Sequence, residues 1–153
     1  MVAMTRWLEP DEQRTWRAYL TASRALMETL DRELQRDAGM PHAYYEILVR
    51  LSEAPRRRLR MSDLAEASGS SRSRLSHAVA RLEAAGWVRR EECPTDRRGQ
   101  IAVLTDEGFA TLAAAAPGHV EGVRRHLFDA LSPAQIDQLR RISEALAAHL
   151  TGS

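Results

Sequence analysis

The sequence contains no lysine. All 22 of its basic side chains are arginine, so every positive charge is a planar, permanently ionised guanidinium. Cysteine is almost as scarce. Cys93 stands alone, which excludes an internal disulfide framework and fits a reducing compartment, the cytoplasm. No apolar run has the length of a signal peptide or a membrane span, so no membrane partner is expected. Internal repeats and low-complexity tracts are also missing. No nucleophile–base set, phosphate-binding glycine loop or cluster of metal ligands is visible. An enzyme is therefore not expected, nor a cofactor, nor a metal site.

What is present is enough apolar sequence for a core: 44% of 153 residues. The formal charge of +1 hides an uneven distribution. Residues 56–98 hold eleven Arg against six acids, a surplus of five. The flanks, 1–55 and 99–153, are each acidic by two charges. A basic centre between acidic flanks is the footprint of a phosphate-binding surface.

That centre has an ordered set of local signals. Leu64 and Ala65 belong to a short helix, which Gly69 can end in the left-handed conformation. Ser71 is a good N-cap for a second helix. There Leu75, Ala78, Val79 and Leu82 share one face, while Arg72, Ser73, Ser76, His77 and Ala80 share another. Gly86 stops it. Trp87-Val88 and Ile101, Val103, Leu104 are β-prone and flank Pro94–Gly99, a turn by composition. This is a helix-turn-helix followed by a β-wing, a shape that lays one helix in a DNA major groove. The adjacent Arg97 and Arg98 suit a narrow, electronegative minor groove. Asp96 either braces one of them or caps the turn.

The flanks read as helices. One spans 10–36, with Trp16, Leu20, Met27, Leu30 and Leu34 along one face, and is broken by Gly39 and Pro41. A second spans about 41–54, ended by Pro55, with Arg56-Arg57-Arg58 as a surface corner. After the wing, a helix over 105–129 should bend or break at Pro117-Gly118. Ser132-Pro133-Ala134-Gln135 has the form of a capping box that opens a last helix to about 150. The apolar stripes of these flanking helices are too long for a small winged helix to bury. A homodimer removes the problem, whereas a monomer would have to fold the extra helices back. The expected fold is mainly α with a small β-wing: a winged helix-turn-helix over 39–104, with a helical dimerisation region formed by 1–38 and 105–153.

Ser62-Asp-Leu-Ala65, Ser71-Arg-Ser73, Arg81-Leu-Glu-Ala-Ala-Gly86 and Asp96-Arg-Arg-Gly99, leading to Val103-Leu-Thr-Asp-Glu-Gly108, resemble the multiple antibiotic resistance regulator (MarR) family over nearly the whole chain. The resemblance implies a homodimeric regulator, a repressor by expectation, on a pseudo-palindromic operator in double-stranded DNA. It places Ser71, Arg72, Ser73, Ser76 and His77 at DNA-facing positions of the recognition helix, with Arg74 one step round, toward a phosphate. Asp96 falls on the wing motif with Arg97 and Arg98, and either Arg is a candidate for the minor groove. It also implies an aromatic or phenolic effector near Trp16, Tyr19, His42 and Tyr45, although such residues also serve simply as core. The family's peroxide sensors carry a reactive Cys in the first helices, and this chain has none there. His119 and His126 lie seven apart near Glu121 and read as exposed helix histidines rather than metal ligands. The competing function is a winged helix used as a protein-interaction or dimerisation module; the basic centre and wing Arg pair weigh against it.

Overall fold

A computed structural model describes residues 4–152; positions 1–3 and 153 of the expected helical region lie outside the described residues. The order is α1 (Pro10–Ala38), α2 (His42–Glu53), a 3-10 turn (Pro55–Arg57), β1 (Arg58–Arg60), α3 (Met61–Ala67), α4 (Arg72–Ala84), β2 (Val88–Cys93), β3 (Asp96–Leu104), α5 (Asp106–Val123), a π-helical turn (Arg124–Phe128) and α6 (Pro133–Thr151). The protein is mainly helical with one small antiparallel sheet, ordered β1-β3-β2. Two compact units form. One is Asp31–Gly122; the other combines the chain up to Leu30 with Val123 onward.

The boundaries follow local chemistry. Gly39 and Gly69 stand at φ +67° and +59°, and each ends a helix in the left-handed region. The Ser71 hydroxyl accepts a hydrogen bond from the Arg74 amide at 3.2 Å, capping α4. Ser132 and Gln135 satisfy each other's backbone amides, the reciprocal box expected at the start of α6.

Three expectations need correction. The helix after the wing does not break at Pro117, which stands inside α5 on an exposed position. A proline there removes one intrahelical hydrogen bond, and the turns on either side hold. The wing strands are longer than their β-prone residues suggested: only Pro94 and Thr95 separate β2 from β3. Arg97 and Arg98 therefore lie in a strand, not at a loop tip. Finally, the arginine corner is two elements. Arg56 and Arg57 take left-handed backbone at φ 57° and 56°, which costs a non-glycine residue about 1 kcal/mol or more. Arg58–Arg60 then pairs with β3, Leu59 opposite Ala102.

In the unit Asp31–Gly122 the core gathers Met40 and Leu48 with Leu51, Leu64, Leu75 and Leu82, each essentially without exposed surface. Val88, Ala102 and Leu104 close it from the sheet. The inner face of α4 is thereby buried and its outer face left to solvent. Beyond the wing, Thr105 ties the start of α5 to the turn after α4. Its amide donates to the Trp87 carbonyl at 3.0 Å and its hydroxyl to the Gly86 carbonyl at 2.7 Å. Gly108 makes that approach feasible, since a Cβ there would stand 2.1 Å from the Trp87 oxygen.

The other unit exposes its apolar side chains. No residue of α6 is buried, and Leu139, Ile142, Leu146 and Leu150 are all open. So are Trp7, Leu8, Trp16 and Tyr19 on and before α1.

Candidate nucleic-acid interface

Ser71 fixes the first turn of α4, and α4 sets the rest of the surface. With Leu75, Val79 and Leu82 inward, the helix presents Arg72, Ser73, Arg74 and His77 to solvent and Ser76 half-exposed. A groove of about 410 Å³ runs between this helix start and the wing. Four guanidiniums line it: Arg72 from α4, Arg60 from the end of β1, and Arg90 and Arg98 from the wing strands. Two sides of α4 are used. Arg72 and Ser76 face this groove, whereas Arg74 and His77 border a cleft against Tyr44 of α2 and the Gly69 turn.

The wing motif has a clear division of labour. The Asp96 carboxylate accepts from the Arg98 backbone amide at 3.0 Å. Asp96 caps the turn and holds the backbone of Arg98. Arg98 lines the groove; Arg97 is exposed and does not.

Arg90 and Arg60 escaped the sequence reading. Arg90 donates from Nε to Glu83 at 2.5 Å, and from Nη1 to Ser76 at 3.3 Å and Gln100 at 3.5 Å. One half-buried side chain therefore joins α4 to both wing strands. Arg60 donates to the Cys93 sulfur at 3.0 Å and the Thr95 hydroxyl at 3.1 Å, tying β1 to the wing turn. Hydrogen bonds from Thr95 and from Arg60 hold the buried Cys93 thiol down at about 7. The one available signal was alternation along β2, which puts Arg90 on the opposite face from Arg89.

The four aromatic or polar residues expected near an effector divide between the units. Trp16 and Tyr19 stack loosely on α1 with centroids 6.3 Å apart, both exposed. His42 and Tyr45, on α2, meet His119 of α5 at 5.4 and 4.4 Å between centroids. Burial raises the Tyr45 phenol. His119, expected as an exposed helix histidine, is instead half-buried against the His42 and Tyr45 rings, and its Nδ1 is buried without a hydrogen-bond partner. Among the described residues no three His, Cys, Asp or Glu gather to hold a metal ion, and no helix is long and apolar enough to cross a membrane.

His119 should make stability depend on pH. Burial, then the proximity of His42, lowers the His119 pKa, with Glu33 opposing. A base lowered in the fold contributes stability that is complete above its unfolded value of about 6.5 and is lost as pH falls through it. The thermal midpoint should therefore drop between pH 7.5 and 5.5, and His119→Gln should flatten that slope. An unchanged slope in the variant would show that His119 carries none of it.

The comparisons agree with the geometry. The MarR family profile matches residues 38–99. The transcriptional repressor MprA of Escherichia coli K12 is 30% identical over 125 residues, covering 82% of this chain and 70% of that protein. Sco3205, a MarR family regulator from Streptomyces coelicolor solved in complex with DNA, is 57% identical with a TM-score of 0.92, covering 95% of this chain and 92% of that one. AbsC, a MarR family regulator from the same organism, is 48% identical with a TM-score of 0.90, covering 97% and 100%. Regulators of this kind act by binding DNA, not by catalysis. With the α4 helix, the wing and the basic groove between them in place, the chain belongs to the MarR family of transcription regulators.

Proposed function

We propose that this protein is a cytoplasmic, homodimeric repressor that lays α4 in the major groove of each half of a pseudo-palindromic operator. The carrying observation is the groove of four guanidiniums between α4 and the wing. Ser71, Arg72, Ser73, Ser76 and His77 face base edges and the adjoining backbone, and Arg74 a phosphate. Arg98, whose backbone Asp96 holds, enters the minor groove, and Arg97 stays near the flanking backbone. Repression is supported by the name of the MprA relative. The unburied stripes of α6 and α1 supply the dimer contact, since a protein rarely leaves so many large apolar side chains in water. Residues 1–38 and 105–153 form the dimerisation region, and 39–104 the DNA-binding domain. The surplus charge of the central segment weighs against a winged helix used only for protein contacts.

An aromatic or phenolic acid is the effector that fits best. His42 and Tyr45 offer an apolar ring and polar atoms together. The effector lowers operator affinity by favouring a spacing of the two α4 helices other than about one DNA turn, roughly 34 Å.

Light scattering tests the assembly, with a mass near twice 17.2 kDa expected and one near 17.2 kDa excluding the dimer. Fluorescence anisotropy on duplexes selected from a random library tests the DNA reading. Binding with no sequence preference and no salt dependence would leave the protein-interaction module as the better account.

A further inference from the structure

We propose that the protein has a second phosphate-binding site, separate from the α4 groove, in the cleft formed by Arg56, Arg57, Arg58 and Arg89. The cleft measures about 460 Å³ and lies where the 3-10 turn, the sheet and the start of α5 meet. Its lining includes Val103 and Leu104 and one carboxylate, Asp106.

Three independent features build it. The first is backbone. Arg56 and Arg57 both stand in the left-handed region, in a turn closed by the Arg57 amide on the Ala54 carbonyl at 2.9 Å. An extended run of three arginines would send alternate side chains to opposite faces. The tight turn instead delivers all three to one cleft, at the cost of strain that the surroundings must hold.

The second feature is orientation. Arg58 and Arg89 both pair with Val103 across β3, so they lie in one row on the outer face of the sheet. Glu91 sits between them, accepting from Arg58 Nη2 at 2.8 Å and from Arg89 Nε at 3.0 Å. One carboxylate thus tethers two guanidiniums side by side, and each keeps further N–H donors for a ligand. The guanidinium of Arg57 lies over the Phe109 ring at 3.7 Å, which fixes its plane.

The third feature is charge. Four guanidiniums face two carboxylates. Glu91 is shared by two of them, and Asp106 reaches Arg57 only at 3.8 Å from a fully exposed position. Two positive charges therefore remain, in a fork geometry suited to tetrahedral, multiply charged oxyanions. Phosphate groups are that chemistry. They come either from the DNA backbone beyond the half-site, since β1 runs from this cleft to Arg60 in the groove, or from a free polyphosphate.

Inorganic tripolyphosphate is the probe. Titrated into the intact protein and followed by arginine Nε–Hε NMR resonances, it should move those of Arg57 and Arg89 at concentrations at least tenfold below those that move Arg14, an exposed surface arginine. In Arg56→Ala/Arg89→Ala the midpoint should rise at least tenfold, while Arg72→Ala/Arg98→Ala leaves the cleft midpoint within twofold. A second arm separates the sources. If DNA supplies the phosphate, extending a selected duplex by about 15 base pairs on each side should tighten binding to the wild type and not to the cleft variant. Binding of tripolyphosphate without a flank effect identifies a free polyphosphate. If the cleft resonances move no earlier than Arg14 and the flanks change nothing, there is no second site.

Discussion

Replacing Arg72 and Arg98 together by alanine should weaken binding to a selected operator by roughly thirtyfold or more, at about 1–3 kcal/mol for each arginine removed. The two side chains approach one groove from different elements, the start of α4 and the wing strand. Both are exposed, so truncation removes no core packing, and the thermal midpoint should stay put. If both touch phosphates, the dependence of log affinity on log salt becomes shallower by about two units. If Arg98 reads the minor groove, part of the loss appears instead as relaxed discrimination at the outer positions of each half-site. Arg97→Ala serves as the internal comparison. It is equally charged and adjacent in sequence, but it does not line the groove, and its effect should remain within about threefold. Anisotropy titrations at several salt concentrations decide the matter. A double variant within twofold of the wild type would remove the groove from the DNA interface.

Gly108→Ala should destabilise the fold by about 2–4 kcal/mol, combining overpacking with disruption of neighbouring hydrogen bonds. In a helix interior this substitution ordinarily stabilises, by about 0.5–1 kcal/mol. Here the added methyl would meet the Trp87 oxygen at 2.1 Å and Leu104 Cδ1 at 2.8 Å. Neither can retreat easily. The Trp87 carbonyl already accepts from the Thr105 amide, and Leu104 is buried in the core. The first turn of α5 must lift away, pulling Thr105 from Gly86 and Trp87. At about 2–4 °C per kcal/mol, the thermal midpoint falls by roughly 5–15 °C at fixed protein concentration. Gly118→Ala, in the same helix, is the control. Nothing lies within 4 Å of its added Cβ, so that variant should be unchanged or slightly more stable. Equal midpoints for the two variants would mean that the Thr105–Gly108 junction does not hold α5 in place.

The same junction shows what kind of information each level carries. Leu104-Thr105 followed by Gly108 was legible as a motif, yet its reason is the carbonyl of Trp87, brought there by the fold. Signals that act within one helical turn were readable directly. Gly69 ends the turn after α3, Ser71 caps α4, and Ser132 with Gln135 opens α6, because each depends on a backbone conformation or a hydrogen bond three residues away. The apolar spacing of Leu75, Val79 and Leu82 likewise determined which face of α4 would be buried and which would carry Arg72, Ser73 and His77 outward.

Tertiary structure alone decided the rest. β1 is three residues long, too short for any periodic signal, and exists because β3 offers an edge to pair with. Strand pairing, not propensity, carried β3 down to Asp96 and put Arg97 and Arg98 in a strand. Arg90 reaches Ser76 across 14 residues of chain while also holding Glu83 and Gln100, and His119 meets Tyr45 from a different helix. The amphipathic period and the caps are local and repeat whatever the fold. Cross-strand register and side-chain bridges exist only once the core has packed, since packing is what sets the positions of residues distant in sequence.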